Sequence, residues 1–541
     1  MKKIILTIIY ILLIALALMF FLGNRPDPST DYDLLIQNGT VYDGTLADPY
    51  VADIGIKGDK IIAVGNLKGT AQKTINAQGL IVTPGFIDVH NHADFTFKYA
   101  GLMRFLAYFT PDWTGYYNYL TQGVTTVISG NCGLGYTNVK KWLAMVNRMK
   151  FGTNVYHLAP HGEIRLEIFG KDQPETLTPS QLEKLKKRFA HEMENGAIGF
   201  SSGLEYAPGD VTKTEELIEI AKVVKKYGGI HTSHTRDLTG PGVLTSVQEA
   251  IKISRAADIP VQISHIQINS PWDNTKASQI IELIEQARAE GLDITADQHP
   301  YNHGLARLTI HVPPKFCLSS TTIKEKYKTE PGRSELKKAV LKSLAVIPAD
   351  KILISVYLAK PKYQGQTIAE IAQKENKNPA DMFIELLSAK EAPAVLVEDQ
   401  KEEVVRELMP HDYIFTVSDG WWTSQKSSEA SHPRAYGAFP RKIKKYVLEE
   451  KLMSLKDALR SMTSLPAQKF NLKKRGQIKP GYYADIAVID LNTIAEKATY
   501  KDSKQYSTGI VYLIVNGVLT IENRQITGQR GGKGLKYLKN N

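Results

Sequence analysis

Thr83-Pro84-Gly85-Phe86-Ile87-Asp88-Val89-His90-Asn91-His92-Ala93-Asp94 is the stretch on which the reading of this chain turns. An apolar run, Leu80-Ile81-Val82, leads into it through Pro84-Gly85, the pattern of a buried strand whose end turns polar. Side chains on a strand alternate between faces, so Asp88, His90, His92 and Asp94 are expected on one face. Two neutral imidazoles two residues apart can bind one cation, and histidine is the commonest nitrogen ligand of zinc. A lone His-x-His pair arises by chance on many surfaces. Here further polar strand ends follow downstream, and they favour the metal.

Outward from this stretch the chain alternates strand and helix. Strands are expected at 124–129, 154–159, 197–201, 229–232, 261–264, 292–296 and 413–417, with helices between them at 179–194, 213–227 and 278–290. Counted with the strand at Ile81, these units point to an α/β protein built on a parallel (β/α)8 TIM-like barrel. The interval 302–412 is too long for a loop and reads as a subdomain inserted over the barrel mouth. Short strands and turns at 32–80 and 471–541 flank the barrel region, 81–470. Neither set buries a face alone, so the two are expected to form one small composite β-sandwich domain.

The composition, 43% hydrophobic and 23% charged over 541 residues, is that of a globular protein with a large core. A net charge of +11 favours anionic partners, but no nucleic-acid motif or long basic block accompanies it, and a solvated basic surface explains it better. Two cysteines, Cys132 and Cys317, exclude a disulfide framework. Lys2-Lys3 precede an apolar run over residues 4–22, close to the length that spans a bilayer. Residues 1–23 are therefore expected to form a transmembrane helix, with 24–31 as linker and the remainder of the chain outside the cytoplasm. The alternative is a signal segment cleaved after Ala17, giving a secreted protein.

In parallel barrels the chemistry sits at the C-terminal ends of the strands. Those ends read His90 and His92, Cys132, His161, Glu205 and Tyr206, His234, His265, Asp297, and Asp419. Each alone has an ordinary reading, such as a hydrogen-bonded core histidine. A set so rich in ligand types, each at a strand end, points to a metal site. His231 competes with His234 but lies on the other face of its strand.

Several longer motifs surround these residues. They include Gly123-Val124-Thr125-Thr126-Val127-Ile128-Ser129-Gly130-Asn131-Cys132-Gly133 and Gly199-Phe200-Ser201-Ser202-Gly203-Leu204-Glu205-Tyr206-Ala207-Pro208-Gly209. Ser233-His234-Thr235-Arg236-Asp237, Ile263-Ser264-His265, Val417-Ser418-Asp419-Gly420 and His432-Pro433-Arg434-Ala435-Tyr436-Gly437 follow. With these, the chain resembles the amidohydrolase superfamily and, within it, the N-acyl-D-amino-acid deacylases (D-aminoacylases). Many two-metal amidohydrolases bridge their metals with a carboxylated lysine on strand four. This chain has no lysine over 196–204, and Cys132 stands where the deacylases place a strand-two cysteine.

The resemblance implies a zinc enzyme that hydrolyses the amide bond of a small-molecule N-acyl-D-amino acid. It implies a tight Zn2+ site at Cys132, His234 and His265, and a second, weaker position at His90 and His92 with Cys132 bridging. Thiolate and imidazole suit zinc, and three protein ligands leave room for water. Asp419 is expected to act as general base and then acid, and His161 to sit near the oxyanion. Tyr206, Gln267, Tyr301 and Arg434 are candidate substrate contacts. Gln267 stands where the deacylases carry a lysine, and His299-Pro300-Tyr301 replaces their Tyr-Pro-Tyr. The aromatic stretch 95–120 and Trp421-Trp422 either widen the mouth or pack as loops. A dipeptidase or a dihydroorotase-like cyclic amide hydrolase is the alternative enzyme, and a tethered binding protein without activity is the remaining one.

Overall fold

Eight short parallel strands position the polar ends named above. In the computed structural model, which describes residues 30–99, 111–170, 172–269, 275–312, 329–389, 392–421, 425 and 431–537, they are β1 (Phe86–Asp88), β2 (Val124–Ser129), β3 (Asn154–His157, continued by Ala159–Pro160), β4 (Gly199–Gly203), β5 (Ile230–His234), β6 (Val261–Ile263), β7 (Ile294–Gln298) and β8 (Ile414–Thr416). The hydrogen-bonded ladder divides at Leu158. β1, β2 and the first part of β3 form a three-stranded sheet, while the second part of β3 begins a six-stranded sheet running through β4 to β8. The ends of β1 and β8 meet through Asp419 N–H to the His90 carbonyl (2.9 Å) and His92 N–H to the Gly420 carbonyl (2.8 Å). The buried Asp88 carboxylate accepts from the Ser418 amide (3.1 Å) and from its hydroxyl. The core is thus the barrel-like arrangement of eight parallel strands expected from sequence, seen as two sheet arcs that meet at β3 and again between β8 and β1. The break falls where β3 changes partner from β2 to β4.

Helices pack outside these strands by burying one apolar stripe each. Pro179–Glu194 is capped by Thr178, whose hydroxyl accepts from the Gln181 amide while the Gln181 side chain accepts from the Thr178 amide. It buries Leu185, Phe189 and Met193. Thr214–Lys226 buries Leu217, Ile220, Ala221 and Val224. With one face charged and the other packed, such helices do not suit a bilayer. Among the described residues no helix is long and apolar enough to cross a membrane. Residues 1–23, on which the expected transmembrane helix rested, lie outside the described residues. The membrane as a partner and the localisation drawn from that segment are corrected with it.

The two chain ends meet in one nine-stranded mixed sheet. Its central strand is Ile81–Pro84, which pairs in parallel with Tyr32–Val41 and antiparallel with Ile486–Ile489. The Ile81 run therefore belongs to this sheet and not to the barrel, whose first strand starts at Phe86. Leu34, Ile36, Ile54, Ile56, Ile486, Val488 and Ile514 form its core. A buried polar knot joins it to the barrel. Arg475 pairs with Asp485 and donates to Asn516 Oδ1 (2.9 Å), and the Asn516 amide side chain donates to Asn154 Oδ1 at the start of β3 (2.6 Å).

Between β7 and β8 lies a further unit with a three-stranded antiparallel sheet, His303–Arg307, Ala394–Glu398 and Ile352–Val356 in spatial order. Helices Gly332–Val346, Ile368–Lys374 and Pro379–Leu387 cover it, and Leu336, Val340, Ile354, Ile371 and Phe383 fill its own core.

Removing one partner of a buried ion pair leaves the other charge uncompensated. Arg475→Met should therefore lower the free energy of urea unfolding by about 3–5 kcal/mol while zinc content is unchanged, since the knot lies at the opposite end of β3 from the ligand cluster. A loss below about 1 kcal/mol would show that Asp485 finds other compensation.

Candidate functional site

The chain leaves β1 after Asp88, so His90 and His92 come from an irregular segment rather than from one strand face. Two buried amides hold that segment in place. Asn91 Nδ2 donates to the carbonyls of Asp88 (3.0 Å) and Ile128 (3.2 Å), and Asn131 Nδ2 donates to those of Val89 and Asn91 (3.3 Å each) and Ile128 (2.8 Å). His90 is fully buried, with Nδ1 3.0 Å from Asp297 Oδ1 and Nε2 3.1 Å from Cys132 Sγ. Asp94 turns elsewhere and accepts from the Tyr136 amide (3.2 Å).

Cys132 follows β2 in the left-handed backbone region, at φ 57°. Gly133 beside it has no room for a side chain, because a Cβ there would lie 2.9 Å from the Gly203 amide nitrogen. His234 ends β5, and its Nδ1 lies 2.7 Å from His265 Nε2, which is 3.9 Å from Cys132 Sγ. His234 Nε2 is 3.0 Å from Glu205. Asp297 on β7 accepts from the His265 amide (2.7 Å) and from Gln262 Nε2 (2.9 Å) as well as from His90. Ligand atoms of His90, His92 and Cys132, of Cys132, His234 and His265, and of His90, His265 and Asp419 each lie within 4.8 Å of one another.

Asp419 comes from the loop after β8, at φ 44°. Its Oδ1 is 3.4 Å from His90 Nε2 and 3.3 Å from His92 Nε2, and its Oδ2 receives Arg434 at 2.9 Å. Arg434 opens the helix Arg434–Arg441, and its amide donates to His432 Nδ1 (2.9 Å). Nδ1 thus accepts, so Nε2 carries the proton of His432 and donates to the His303 carbonyl (3.0 Å) of the inserted unit.

The charges respond to this crowding. Burial pushes the Cys132 thiol up, but His90, His234 and His265 outweigh it and hold the thiol well below its ordinary value. Burial likewise opposes ionisation of Asp419, while Arg434 and the histidines around it hold the carboxyl well below the usual range. Burial lowers His92 and His234, but Asp419 and Cys132 raise the first to about 9, and Cys132 and Glu205 raise the second to about 9. The cluster therefore favours positive charge at its centre. Two thiolate–imidazole sets with fixed tautomers are a donor set that fits zinc: Asp297 occupies His90 Nδ1 and Glu205 occupies His234 Nε2, leaving the opposite nitrogens to face the metal.

Tyr206 lies beside this cluster, its hydroxyl donating to the Cys132 carbonyl (2.8 Å) and its ring 5.0 Å from that of His234. Gln267 is buried two residues beyond His265. Tyr301 is buried with its ring under Arg441 and near those of His432 and Tyr500. His161 keeps a buried Nδ1 without a hydrogen-bond partner. It starts the helix His161–Phe169, and its Nε2 meets Glu216 at 2.8 Å, which also binds Arg165. His231 stacks on Phe200 at 4.3 Å and bonds Ser202, clear of the cluster. Of the aromatic stretch, Phe97, Tyr116 and Tyr119 pack in the core, as loop packing requires. Trp422, Cys317 and residues 100–110 lie outside the described residues. Asp297 and Glu205 stand at strand ends in the sequence, but their grip on histidines does not show there. His299 is a further member of the neighbourhood. Burial and the nearby Arg434 hold it well below its ordinary value, so it is neutral.

The amidohydrolase family model matches residues 81–520 of this chain. The chain belongs to the amidohydrolase family. Within the family it falls in the D-aminoacylase branch: it is 30% identical to the N-acyl-D-glutamate deacylase of Alcaligenes xylosoxydans xylosoxydans, over 90% of this chain and 93% of that one. The N-acyl-D-glutamate deacylase of Bordetella bronchiseptica, solved with zinc and a phosphonate mimic of the tetrahedral intermediate, is similar with a TM-score of 0.78 and 27% identity, over 94% of this chain and 100% of that one. A D-aminoacylase described by its binuclear metal centre, with one-metal activation and second-metal attenuation, is similar at TM-score 0.76 and 28% identity, over 94% and 100%. This amidohydrolase is a metal-dependent hydrolase of carbon–nitrogen bonds other than ordinary peptide bonds.

Imidazoles must be neutral to bind a metal, so zinc and protons compete here. With His92 and His234 at about 9, zinc uptake at about pH 8 should release at least one proton, and apparent affinity should climb from about pH 7 to about pH 9. Calorimetry in two buffers of different ionisation enthalpy measures the release. Affinity flat across that window contradicts the ligand set.

Proposed function

We propose that the chain removes the acyl group from N-acyl-D-amino acids by hydrolysis, with Cys132, His234 and His265 holding the tight zinc and His90 and His92 completing a weaker position through Cys132. The convergence of these ligand atoms with Asp419 at one end of the barrel-like core carries the reading. The N-acyl-D-glutamate deacylases and D-aminoacylase to which the chain is similar support the substrate class.

Bound zinc supplies Lewis acidity, polarising the amide carbonyl and lowering the pKa of water to about 7. The protein must then move a proton from water to the leaving nitrogen. Asp419 is ionised and aimed for that transfer, since Arg434 pins Oδ2 while Oδ1 faces His90 and His92. Arg434 keeps a buried Nε without a hydrogen-bond partner, a donor suited to the substrate's free carboxylate. Tyr206 borders the same space. Glu216 holds His161 through Nε2, which leaves its buried Nδ1 as the ring nitrogen for the oxyanion role, and neutral His299 is a second candidate donor.

The full chain, loaded with zinc, is to be assayed for amine release from paired N-acetyl-D- and N-acetyl-L-amino acids. Release from the D series is expected, with Asp419→Asn lowering kcat by roughly 100- to 10,000-fold while zinc is retained. Release from the L series alone, or an Asp419→Asn enzyme of normal kcat, refutes the substrate class or the base.

A further inference from the structure

We infer that Asp399, carried into the mouth by the inserted unit, selects substrates whose amino-acid side chain is cationic, as in N-acyl derivatives of D-lysine or D-arginine, and disfavours acidic side chains. The inference rests on the deacylase reading above and names its substrate class.

Asp399 immediately follows the strand Ala394–Glu398. One of its carboxylate oxygens is cradled by bare backbone: a Cβ on Gly304 would come within 1.9 Å of Oδ2, so only glycine leaves room for the carboxyl. The other oxygen, Oδ1, is buried and has no hydrogen-bond partner. The charged side chains acting on it are Arg434, which attracts, and Glu205, which repels. Gly304 follows His303, whose carbonyl receives His432, and His432 accepts from the Arg434 amide, so Asp399 stands beside the chain of contacts that leads to Arg434 and Asp419. Burial pushes its carboxyl up to about 7 against the pull of Arg434, and above that pH a full negative charge stands at the mouth.

A buried acceptor left unpaired is costly, and a donor or cation brought by the substrate removes that cost. Arg434 does not supply it, since its bond goes to Asp419. Arg434 is paired with Asp419 and Glu205 with His234, so Asp399 is left without a paired cation, and Gln267 adds no charge. An acidic substrate side chain entering there meets like charge, while a basic one gains a charge-assisted hydrogen bond.

The test compares kcat/KM of the zinc-loaded full chain for N-acetyl-D-lysine, N-acetyl-D-leucine and N-acetyl-D-glutamate at about pH 8. The expected order is lysine, leucine, glutamate. In D399N the lysine-to-glutamate ratio should fall roughly 10- to 100-fold, chiefly through a raised KM for lysine. G304A, whose new methyl displaces the carboxyl, should shift the ratio the same way and guards against a folding defect peculiar to one variant. An unchanged ratio in both variants, or an equal loss on all three substrates, overturns the inference, the latter because Asp399 would then only be positioning Arg434. Glutamate preferred by the wild type overturns it while the deacylase reading stands. Turnover of none of the three overturns that reading, and the inference with it.

Discussion

A single buried carboxylate, Asp297, holds the metal cradle together. It accepts hydrogen bonds from the His90 ring, the His265 amide and the Gln262 side chain. Three donors compensate a charge that burial would otherwise make expensive. Its effect is geometric as well as electrostatic. By accepting a hydrogen bond from His90 Nδ1–H it fixes the tautomer that turns Nε2 toward Cys132, and by gripping the His265 amide it stabilises the tight turn after β6. β1, β6 and β7 are thereby tied at the end where the chemistry lies.

The other half of the site is assembled by contacts across the seam between β1 and β8. Asp88 binds both the amide and the hydroxyl of Ser418, one residue before Asp419. Arg434 reaches Asp419 from the following helix, and His432 links the backbone of Arg434 to His303 in the inserted unit. That unit is inserted between β7, which carries Asp297, and β8, which precedes Asp419. Its two roots therefore flank the cradle and the proton acceptor, and its placement fixes one relative to the other.

Much of this was legible in the sequence, for reasons that differ by residue. The helix at Pro179–Glu194 was legible from its own stretch of sequence, and the Thr178–Gln181 capping box that the structure shows is a local signal of the same kind. Cys132 and His234 were legible as polar residues at the ends of apolar strands. His90 and His92 were found by type, but their geometry was not: a strand was expected, while the side chains of Asn91 and Asn131, one of them from the loop after β2, bend the backbone into a loop. His161 shares the strand-end pattern, but its partner was not legible: the chain turns into a helix at that residue and Nε2 meets Glu216 from a neighbouring helix. The Ile81 run reads as a barrel strand by apolarity alone, and only its partner Ile486–Ile489, distant in the chain, assigns it to the other sheet. Nothing local marks Asp399, whose meaning depends on Gly304 across a sheet.

Three residues at the centre, Cys132, His265 and Asp419, hold left-handed backbone at φ 57°, 31° and 44°. Side chains with a Cβ are strained there, at about 1–3 kcal/mol each, and glycine would be relaxed. At these positions selection for a hardier fold and selection for catalysis pull in opposite directions. In a population screened for heat resistance alone, drift at these positions would run toward glycine, and the loss of the thiolate, the imidazole and the carboxylate would pass unnoticed until turnover was measured.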